Sequence, residues 1–383
     1  MRVLKVIGKL FVTFLLCLAI AVAIMEVVIR VTSSPEANAA ASIYVAHDGY
    51  TAFRPNSRFH FVNERRDKVE VATDELGFRN EPGRASSARL LLLGDSFVAA
   101  INTIETATLA GQLRTDGYDV YNAGSDGAGT FNQLAIMEKL LAGNKFGAVV
   151  LLFFTGNDFH DNFMTQDSVV AATARQVATT AETAGPSDAP FGTLASRPAW
   201  RQKILDICQW SRVCQQLYNN VWLGQVRGYA RDPWADRRYF HMYLMTGAPR
   251  SEIDRAVAKT RVALNAMQRL AARAGVPFVV VSAPSRSEVF RSWYDFVVFR
   301  TVSSDTLLNL LAGTPADFDR PERTIRELCR ELQIPYYALL NDFRAAPLPM
   351  RLYGAMDEHW MAEGEEIGAK SIAGFLRQQD IAR

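Results

Sequence analysis

The sequence contains few histidines and cysteines, and it has almost no excess of positive charge. Only five histidines and four cysteines occur among 383 residues, and no two cysteines have zinc-finger spacing. We therefore expect no metal ion and no cofactor. The formal net charge is only +2, so the overall charge does not indicate a nucleic-acid partner. The chain also has no internal repeat, so a repeat architecture is not expected.

The longest apolar stretch is at the N-terminus. Three basic residues precede residues 10–29, in which only Thr13 and Glu26 interrupt the apolar sequence. A stretch of this length matches the roughly 30 Å of hydrocarbon that one helix must cross. Because the positive charges come first, the N-terminus is expected in the cytoplasm. We therefore predict that residues 1–31 are a single-pass anchor in a bacterial inner membrane, with the rest of the chain in the periplasm.

A cleaved signal peptide is the alternative for this segment. Ala37-Asn38-Ala39 is a small-residue sequence of the kind that signal peptidases cleave. The apolar stretch, however, is longer than a usual signal core and ends well before that sequence, which favours an uncleaved anchor. Residues 32–47 are predicted to be a linker. Residues 48–383 then form one domain.

Within that domain, residues 48–88 combine short β-like pieces with turn signals. From residue 89, apolar runs typical of buried strands alternate with helical segments. Strands are predicted at residues 90–93, 119–121, 148–154, 277–281 and 334–340, and helices at residues 106–114, 131–141, 251–274, 322–332 and 362–376. Repeated strand–helix units imply right-handed crossovers, so the expected fold is α/β with a three-layer, mainly parallel sheet.

The alternation is interrupted at residues 163–245, which we interpret as an insertion. Residues 165–198 are rich in alanine, threonine, serine and proline without a sustained period, and are predicted to be mobile. Residues 200–240 are aromatic and basic and are predicted to form a helical cap near the carboxyl edge of the sheet. Cys208 and Cys214 enclose five residues. They are either a local disulfide in an oxidising compartment or two unpaired thiols.

Candidate catalytic residues lie at the end of the first strand and near the C-terminus. The first apolar run ends in Gly94-Asp95-Ser96-Phe97, at the edge where open α/β sheets bind ligands. Asp357 stands two residues before His359. Serine, histidine and aspartate are the parts of a nucleophilic hydrolase, although Gly-Asp-Ser is also a common helix cap.

The next two strand ends offer hydrogen-bond donors. Residues 122–127 (Asn-Ala-Gly-Ser-Asp-Gly) follow the second strand, and Gly156-Asn157-Asp158 follows the third. The carboxyl ends of parallel strands meet at one edge. A glycine N–H, the Asn157 amide and the Ser96 N–H would together stabilise a tetrahedral oxyanion. Simple turn formation is the alternative for the asparagine and the glycines.

Taken together, these blocks resemble the SGNH (GDSL-like) hydrolase superfamily over residues 89–162 and 251–377. The resemblance implies a flavodoxin-like α/β/α sheet, with Ser96 as nucleophile and His359 as general base. It also implies an oxyanion hole formed by Ser96, Gly127 and Asn157. The glycine of the second block fits best on Gly127, with Gly124 as the alternative.

The spacing around the histidine departs from the superfamily pattern. The acid usually stands three residues before the histidine, where this chain has Met356. The shorter Asp-x-His-Trp block resembles membrane-anchored bacterial members and the alginate O-acetylation proteins. Asp357 is therefore the predicted third member of the triad. A Ser–His dyad supported by a backbone carbonyl is the alternative.

The resemblance and the anchor together predict an extracytoplasmic serine esterase that removes O-acyl groups, chiefly O-acetyl, from an envelope or exported polysaccharide. Two alternatives remain open: an O-acyltransferase acting on the same class of glycan, and a non-catalytic scaffold for polysaccharide assembly. Arg286, after the fourth strand, and His160, three residues after Asn157, are candidate substrate contacts. The expected partners are an ester substrate and the membrane. The sequence predicts no particular protein partner.

Overall fold

A computed structural model describes most of the chain. The described residues are 2–32, 43–47, 50–127, 129–182, 237–246, 250–292, 294, 315–355 and 358–381. The chain divides into a unit of residues 1–45 and 197–229 and a larger unit of residues 46–196 and 230–383. Asp357 and the predicted Cys208–Cys214 pair lie outside the described residues, as does nearly all of the predicted helical cap.

The first unit contains one long helix, α1 (Arg2–Thr32). Its window Phe11–Val28 has a mean hydropathy of 2.7, and none of that window is buried within the protein. The polar hydroxyl of Thr13 donates to the carbonyl of Lys9 at 2.9 Å, so it is satisfied inside the helix. By length and composition, α1 is therefore able to cross a membrane.

The remaining elements alternate between strands and helices. The strands are β1 (Tyr44–Ala46), β2 (Thr51–Phe53), β3 (Arg58–Val62), β4 (Lys68–Ala72), β5 (Leu90–Gly94), β6 (Val120–Gly124), β7 (Ala148–Phe154), β8 (Phe278–Ala283) and β9 (Tyr336–Ala338). The described helices that follow α1 are α2 (Arg84–Ser87), α3 (Ser96–Ala99), α4 (Leu109–Thr115), α5 (Thr130–Gly143), α6 (Asp158–Met164), α7 (Asp167–Glu182), α8 (Arg237–Thr246), α9 (Ser251–Ala274), α10 (Arg286–Val289), α11 (Arg320–Glu331), α12 (Leu340–Ala345) and α13 (Ala362–Gln378). Short 3₁₀ turns occupy Glu105–Ala107 and Pro349–Leu352.

Five strands form the central sheet in the order β6-β5-β7-β8-β9. Every neighbouring pair in it is parallel. Counted along the chain, this order is 2-1-3-4-5, which is the flavodoxin-like arrangement. The predicted α/β fold class and parallel sheet are therefore confirmed. The antiparallel β3–β4 hairpin precedes the sheet in sequence.

Both faces of the sheet are covered, which explains why its strands are continuous apolar runs. Successive residues of a strand point to opposite faces. Leu91 and Leu93 of β5 accordingly belong to one core cluster, which includes side chains of α5, α9 and α11. Leu90 and Leu92 belong to the other, which includes side chains of α4, α12 and α13. The helices are therefore divided between the two faces in three layers.

Three predicted elements differ from the structure. The strand expected at 334–340 is limited to Tyr336–Ala338, and Leu340 begins α12. The helix expected at 106–114 is split, because Thr108 caps α4 by accepting a hydrogen bond from the N–H of Gly111 at 3.1 Å. The segment expected to be irregular after residue 165 contains α7, so that prediction is wrong for Asp167–Glu182. Packing against α9 explains this helix: the Lys259 ammonium lies 2.7 Å from the Asp167 carboxylate at its first turn. Buried valine side chains on α7 add to that contact.

Candidate active site

Ser96 is the first residue of α3, at the carboxyl end of β5. Asp95 caps this short helix: its Oδ1 accepts from the N–H of Phe97 at 3.0 Å. The Asp95 carbonyl accepts from the N–H groups of Val98 and Ala99. None of these bonds uses the N–H of Ser96. The turn is tight, since a Cβ at Gly94 would lie 2.4 Å from the Val98 side chain.

His359 approaches this turn from the segment before α13. Its Nε2 lies 2.7 Å from Oγ of Ser96, a hydrogen-bonding distance. The Phe97 ring packs against His359 and Trp360, with centroids 5.1 and 5.3 Å away. Nδ2 of Asn102 donates to the Trp360 carbonyl at 3.0 Å. A serine and an imidazole at this distance are the geometric requirement for an activated nucleophile.

The residue before Ser96 carries a buried carboxyl group that interacts electrostatically with His359. Asp95 is fully buried, and burial raises the pKa of its carboxyl group, with opposition from the Phe97 N–H bond and from the charge of His359. Oδ2 of Asp95 is buried and has no hydrogen-bond partner among the described residues. In the sequence, Asp95 is distinguished only as part of Gly-Asp-Ser, a common helix-cap pattern. Its electrostatic link to His359 depends on the fold.

Asn157 lies in the turn that follows β7, the strand paired with β5. Oδ2 of Asp158 accepts from the N–H of Phe154 at 2.9 Å and folds the turn back on the strand. The Phe154 ring lies 4.0 Å from the Phe97 ring, so this turn packs against α3. The Asn157 side-chain amide makes none of these bonds. Its Oδ1 is buried without a hydrogen-bond partner in the described part of the chain.

The two glycines that follow β6 differ in what their N–H groups can do. The N–H of Gly124 donates to Oδ1 of Asn122 at 2.9 Å. A Cβ at Gly124 would lie 2.2 Å from the backbone N of Ala99, so Gly124 permits close packing of β6 on α3. Gly127 is exposed and has φ +69°. The Gly124 N–H is therefore already used inside the protein, and the role of Gly127 in an oxyanion hole stays a prediction.

His160 and Arg286, the two predicted substrate contacts, each bind other residues of the chain. Nδ1 of His160 lies 3.3 Å from Oδ1 of Asp161, and its ring packs against Phe240. His160 is 5% exposed. Nη1 of Arg286 donates to the carbonyls of the segment that carries His359. Substrate contact by His160 and Arg286 stays a prediction, as does the role of Asp357.

A cavity of about 540 Å³ lies elsewhere, beside β6. Neither Ser96 nor His359 lines it. Its arginines are engaged by acidic partners: Arg79 and Arg114 bind Glu105 at 2.8 and 2.6 Å. Arg114 also donates to the carbonyl of Val120, so it covers the exposed edge of the sheet.

No protein-family profile matches the chain, and no curated protein matches its sequence. Solved structures do match. In fold, the chain resembles GDSL-type lipases and acylhydrolases. They include a lipase/acylhydrolase from Enterococcus faecalis, which is 12% identical with a TM-score of 0.38 over 76% of this chain and 96% of that one.

Two further structures are similar to the same degree. A GDSL-like lipase from Bacteroides thetaiotaomicron is 11% identical, with a TM-score of 0.35 over 76% of this chain and 89% of that one. An acetyl xylan esterase is 12% identical, with a TM-score of 0.34 over 76% of this chain and 98% of that one.

Proposed function

We propose that this protein is a serine hydrolase of O-acyl esters. The observation that carries the proposal is the 2.7 Å contact between Nε2 of His359 and Oγ of Ser96 at the carboxyl edge of a parallel sheet. A serine hydroxyl is a weak nucleophile unless a neighbouring base accepts its proton. In this arrangement the base is in contact with the nucleophile.

The reaction proceeds in two halves. In the first, Oγ of Ser96 attacks the acyl carbonyl while Nε2 of His359 takes its proton. The tetrahedral oxyanion is stabilised by the N–H groups of Ser96 and Gly127 and by the Asn157 amide. The intermediate collapses to an acyl-serine, and the leaving alcohol takes the proton from His359. Water, deprotonated by the same imidazole, then releases the carboxylic acid and restores Ser96.

Asp357 completes the proposed triad. Its carboxylate would accept the Nδ1 proton of His359 and stabilise the imidazolium that forms during attack. This assignment is supported by sequence spacing, with Asp357 two residues before His359.

The proposed substrate is an acetylated polysaccharide of the cell envelope or an exported polysaccharide. The support is α1, an apolar helix with positive charges at its start, which would hold the domain at the periplasmic face of a bacterial inner membrane. Transfer of the acyl group to a sugar hydroxyl in place of water would use the same residues. Product analysis distinguishes the two reactions.

The test is acetate release by the full-length protein in detergent, from p-nitrophenyl acetate and from acetylated polysaccharide. Ser96→Ala should abolish release, whereas Ser125→Ala, at the same edge of the sheet, should retain it. Ser125 is a suitable control because its hydroxyl is engaged by the carbonyl of Thr51. Wild-type protein that neither releases acetate nor reacts with a fluorophosphonate at Ser96 would disprove the proposal and leave a scaffold role.

A further inference from the structure

The segment that follows β8, residues 284–288, is held rigidly; we call it the clamp segment. Ser285 caps α10, since its Oγ accepts from the N–H of Glu288 at 3.3 Å and its own N–H donates to Oε2 of Glu288 at 2.8 Å. The same carboxyl oxygen accepts from Oγ1 of Thr155 at 2.5 Å. Thr155 directly follows β7, so the clamp segment is joined to the strand end that precedes Asn157.

The clamp segment also binds the backbone that leads to His359. Nη1 of Arg286 donates to the carbonyl oxygens of Gly354 at 2.6 Å and Ala355 at 2.9 Å. The Tyr353 hydroxyl donates to the carbonyl of Pro284 at 2.8 Å. Three hydrogen bonds therefore connect the clamp segment with residues 353–355.

Gly354 transmits this attachment to the histidine. Its N–H donates to the carbonyl of His359 at 2.9 Å, while its own carbonyl is held by Arg286. A single antiparallel bridge pairs Tyr353 with Trp360. The N–H of Met361 also donates to the carbonyl of Leu352 at 2.8 Å in this short pairing, and the next carbonyls, those of Gly354 and Ala355, accept from Arg286.

We propose that Arg286 is a positioning residue that holds the His359 imidazole at hydrogen-bonding distance from Ser96. The inference rests on the proposed function. It differs from substrate binding, since the Arg286 guanidinium faces main-chain carbonyls and the residue is 8% exposed. Arg286 acts on the base, so its loss affects catalysis more than affinity.

The kinetic test compares Arg286→Gln and Arg286→Lys with Arg114→Gln in the full-length protein. Arg114 is a matched control, because it also donates to a main-chain carbonyl, that of Val120 in β6. Misplacement of a catalytic group by about 1 Å costs about 10²-fold in rate. We expect Arg286→Gln to lower kcat for p-nitrophenyl acetate by about 10- to 100-fold with KM within about threefold. Arg286→Lys should retain more activity than Arg286→Gln, and added guanidinium ion should partly restore Arg286→Gln.

The kinetic constants distinguish a positioning role of Arg286 from a substrate-binding role. A rise in KM with unchanged kcat would make Arg286 a substrate-binding residue and overturn the proposal. An equal loss of kcat in Arg114→Gln would mean that the loss in Arg286→Gln reflects general destabilisation. That result would also overturn the proposal. Wild-type protein with no Ser96-dependent hydrolysis would contradict the proposed function instead.

A second measurement does not depend on turnover. In protein labelled at its five histidines, the imidazole NMR signal that disappears in His359→Ala is assigned to His359. We expect this signal to move in Arg286→Gln and to stay in place in Arg114→Gln. An unmoved His359 signal in Arg286→Gln would overturn the positioning role, whatever reaction the protein catalyses.

Discussion

Nε2 of His359 lies 2.7 Å from Oγ of Ser96, although 263 positions separate the two residues in the chain. The serine is fixed by the β5–α3 turn. The histidine is fixed by a separate segment that the Trp360 side chain anchors in the core, where it is 1% exposed. The contact therefore depends on how two distant parts of the chain pack.

Replacement of the nucleophile should stop the reaction without unfolding the protein. We expect Ser96→Ala to reduce ester hydrolysis below about 1% of wild type, because alanine cannot form the acyl intermediate. Circular dichroism and the unfolding midpoint should be nearly unchanged, since the Asp95 cap does not use the serine hydroxyl. Substantial activity in Ser96→Ala would assign the nucleophile to another residue.

Loss of the Asn157 amide should slow the chemical step. We expect Asn157→Ala to lower kcat by roughly 10²–10³ with a small change in KM, as removal of one oxyanion donor does. Steady-state kinetics with p-nitrophenyl acetate measures both constants. Asn144→Ala is the control, because that asparagine is at the C-terminal end of α5 and donates to Leu140. An effect confined to KM would make Asn157 a binding residue.

The loss of kcat in Asp357→Asn, compared with that in His359→Ala, tests whether Asp357 belongs to the triad. If its carboxylate orients the imidazole, Asp357→Asn should cost up to about 10⁴ in kcat, because the amide enforces the wrong tautomer. If a backbone carbonyl performs this role, the cost should be below about tenfold, a barrier difference of about 4 kcal/mol between the two cases. His359→Ala should be severe in either case. A mild Asp357→Asn beside an inactive His359→Ala would establish a dyad.

Glu365 should make stability fall as pH rises. Burial raises the pKa of this carboxyl to about 8 from 4.5, although the Leu109 N–H and the Arg79 charge oppose the shift. Between these two pKa values the folded state keeps a proton that the unfolded state has lost. The free energy of unfolding should therefore fall between pH 5 and 8, at up to about 1.4 kcal/mol per pH unit from this group.

The Glu365→Gln variant isolates this contribution. Denaturant titrations at pH 5 and pH 8 should show a smaller loss of stability in Glu365→Gln than in wild type. Glu366→Gln is the matched control, because that neighbouring glutamate is exposed and pairs with Lys370 on the surface. Parallel pH profiles for wild type and Glu365→Gln would show that the carboxyl ionises at its ordinary pH in the folded protein.

The apolar helix α1 should anchor the protein, with the C-terminus outside the cytoplasm. Alkaline phosphatase fused after residue 383 should be active, and the protein should remain with membranes after a carbonate wash. The physical reason is the length of the apolar window, Phe11–Val28, behind the basic N-terminal residues. Recovery of a soluble form that begins at Ala40 would instead indicate signal cleavage.

Local sequence was sufficient for much of the fold. The strands at 90–93 and 148–154 were predictable because strands buried on both faces must be continuously apolar. The end of α9 was implied by Gly275, whose φ of +68° favours glycine. The α7 helix could not be predicted, since its composition is weakly patterned and its stability depends on Lys259 and on buried contacts with α9.

For the candidate site, too, the sequence predicted one part and the tertiary structure decided the other. The sequence by itself determined which chemical groups stand at the strand ends, because Gly94-Asp95-Ser96 and Gly156-Asn157-Asp158 are contiguous blocks that follow apolar runs. Only the tertiary structure decided which backbone N–H groups at this edge of the sheet already donate to another residue. The sequence favours Gly127 over Gly124 only through the family resemblance, whereas in the structure the N–H of Gly124 donates to Oδ1 of Asn122. Likewise, Arg286, three residues after the end of β8, donates to the carbonyl of Gly354 in the segment before His359. These outcomes depend on hydrogen bonds between residues that become neighbours only when the sheet and its helices pack together.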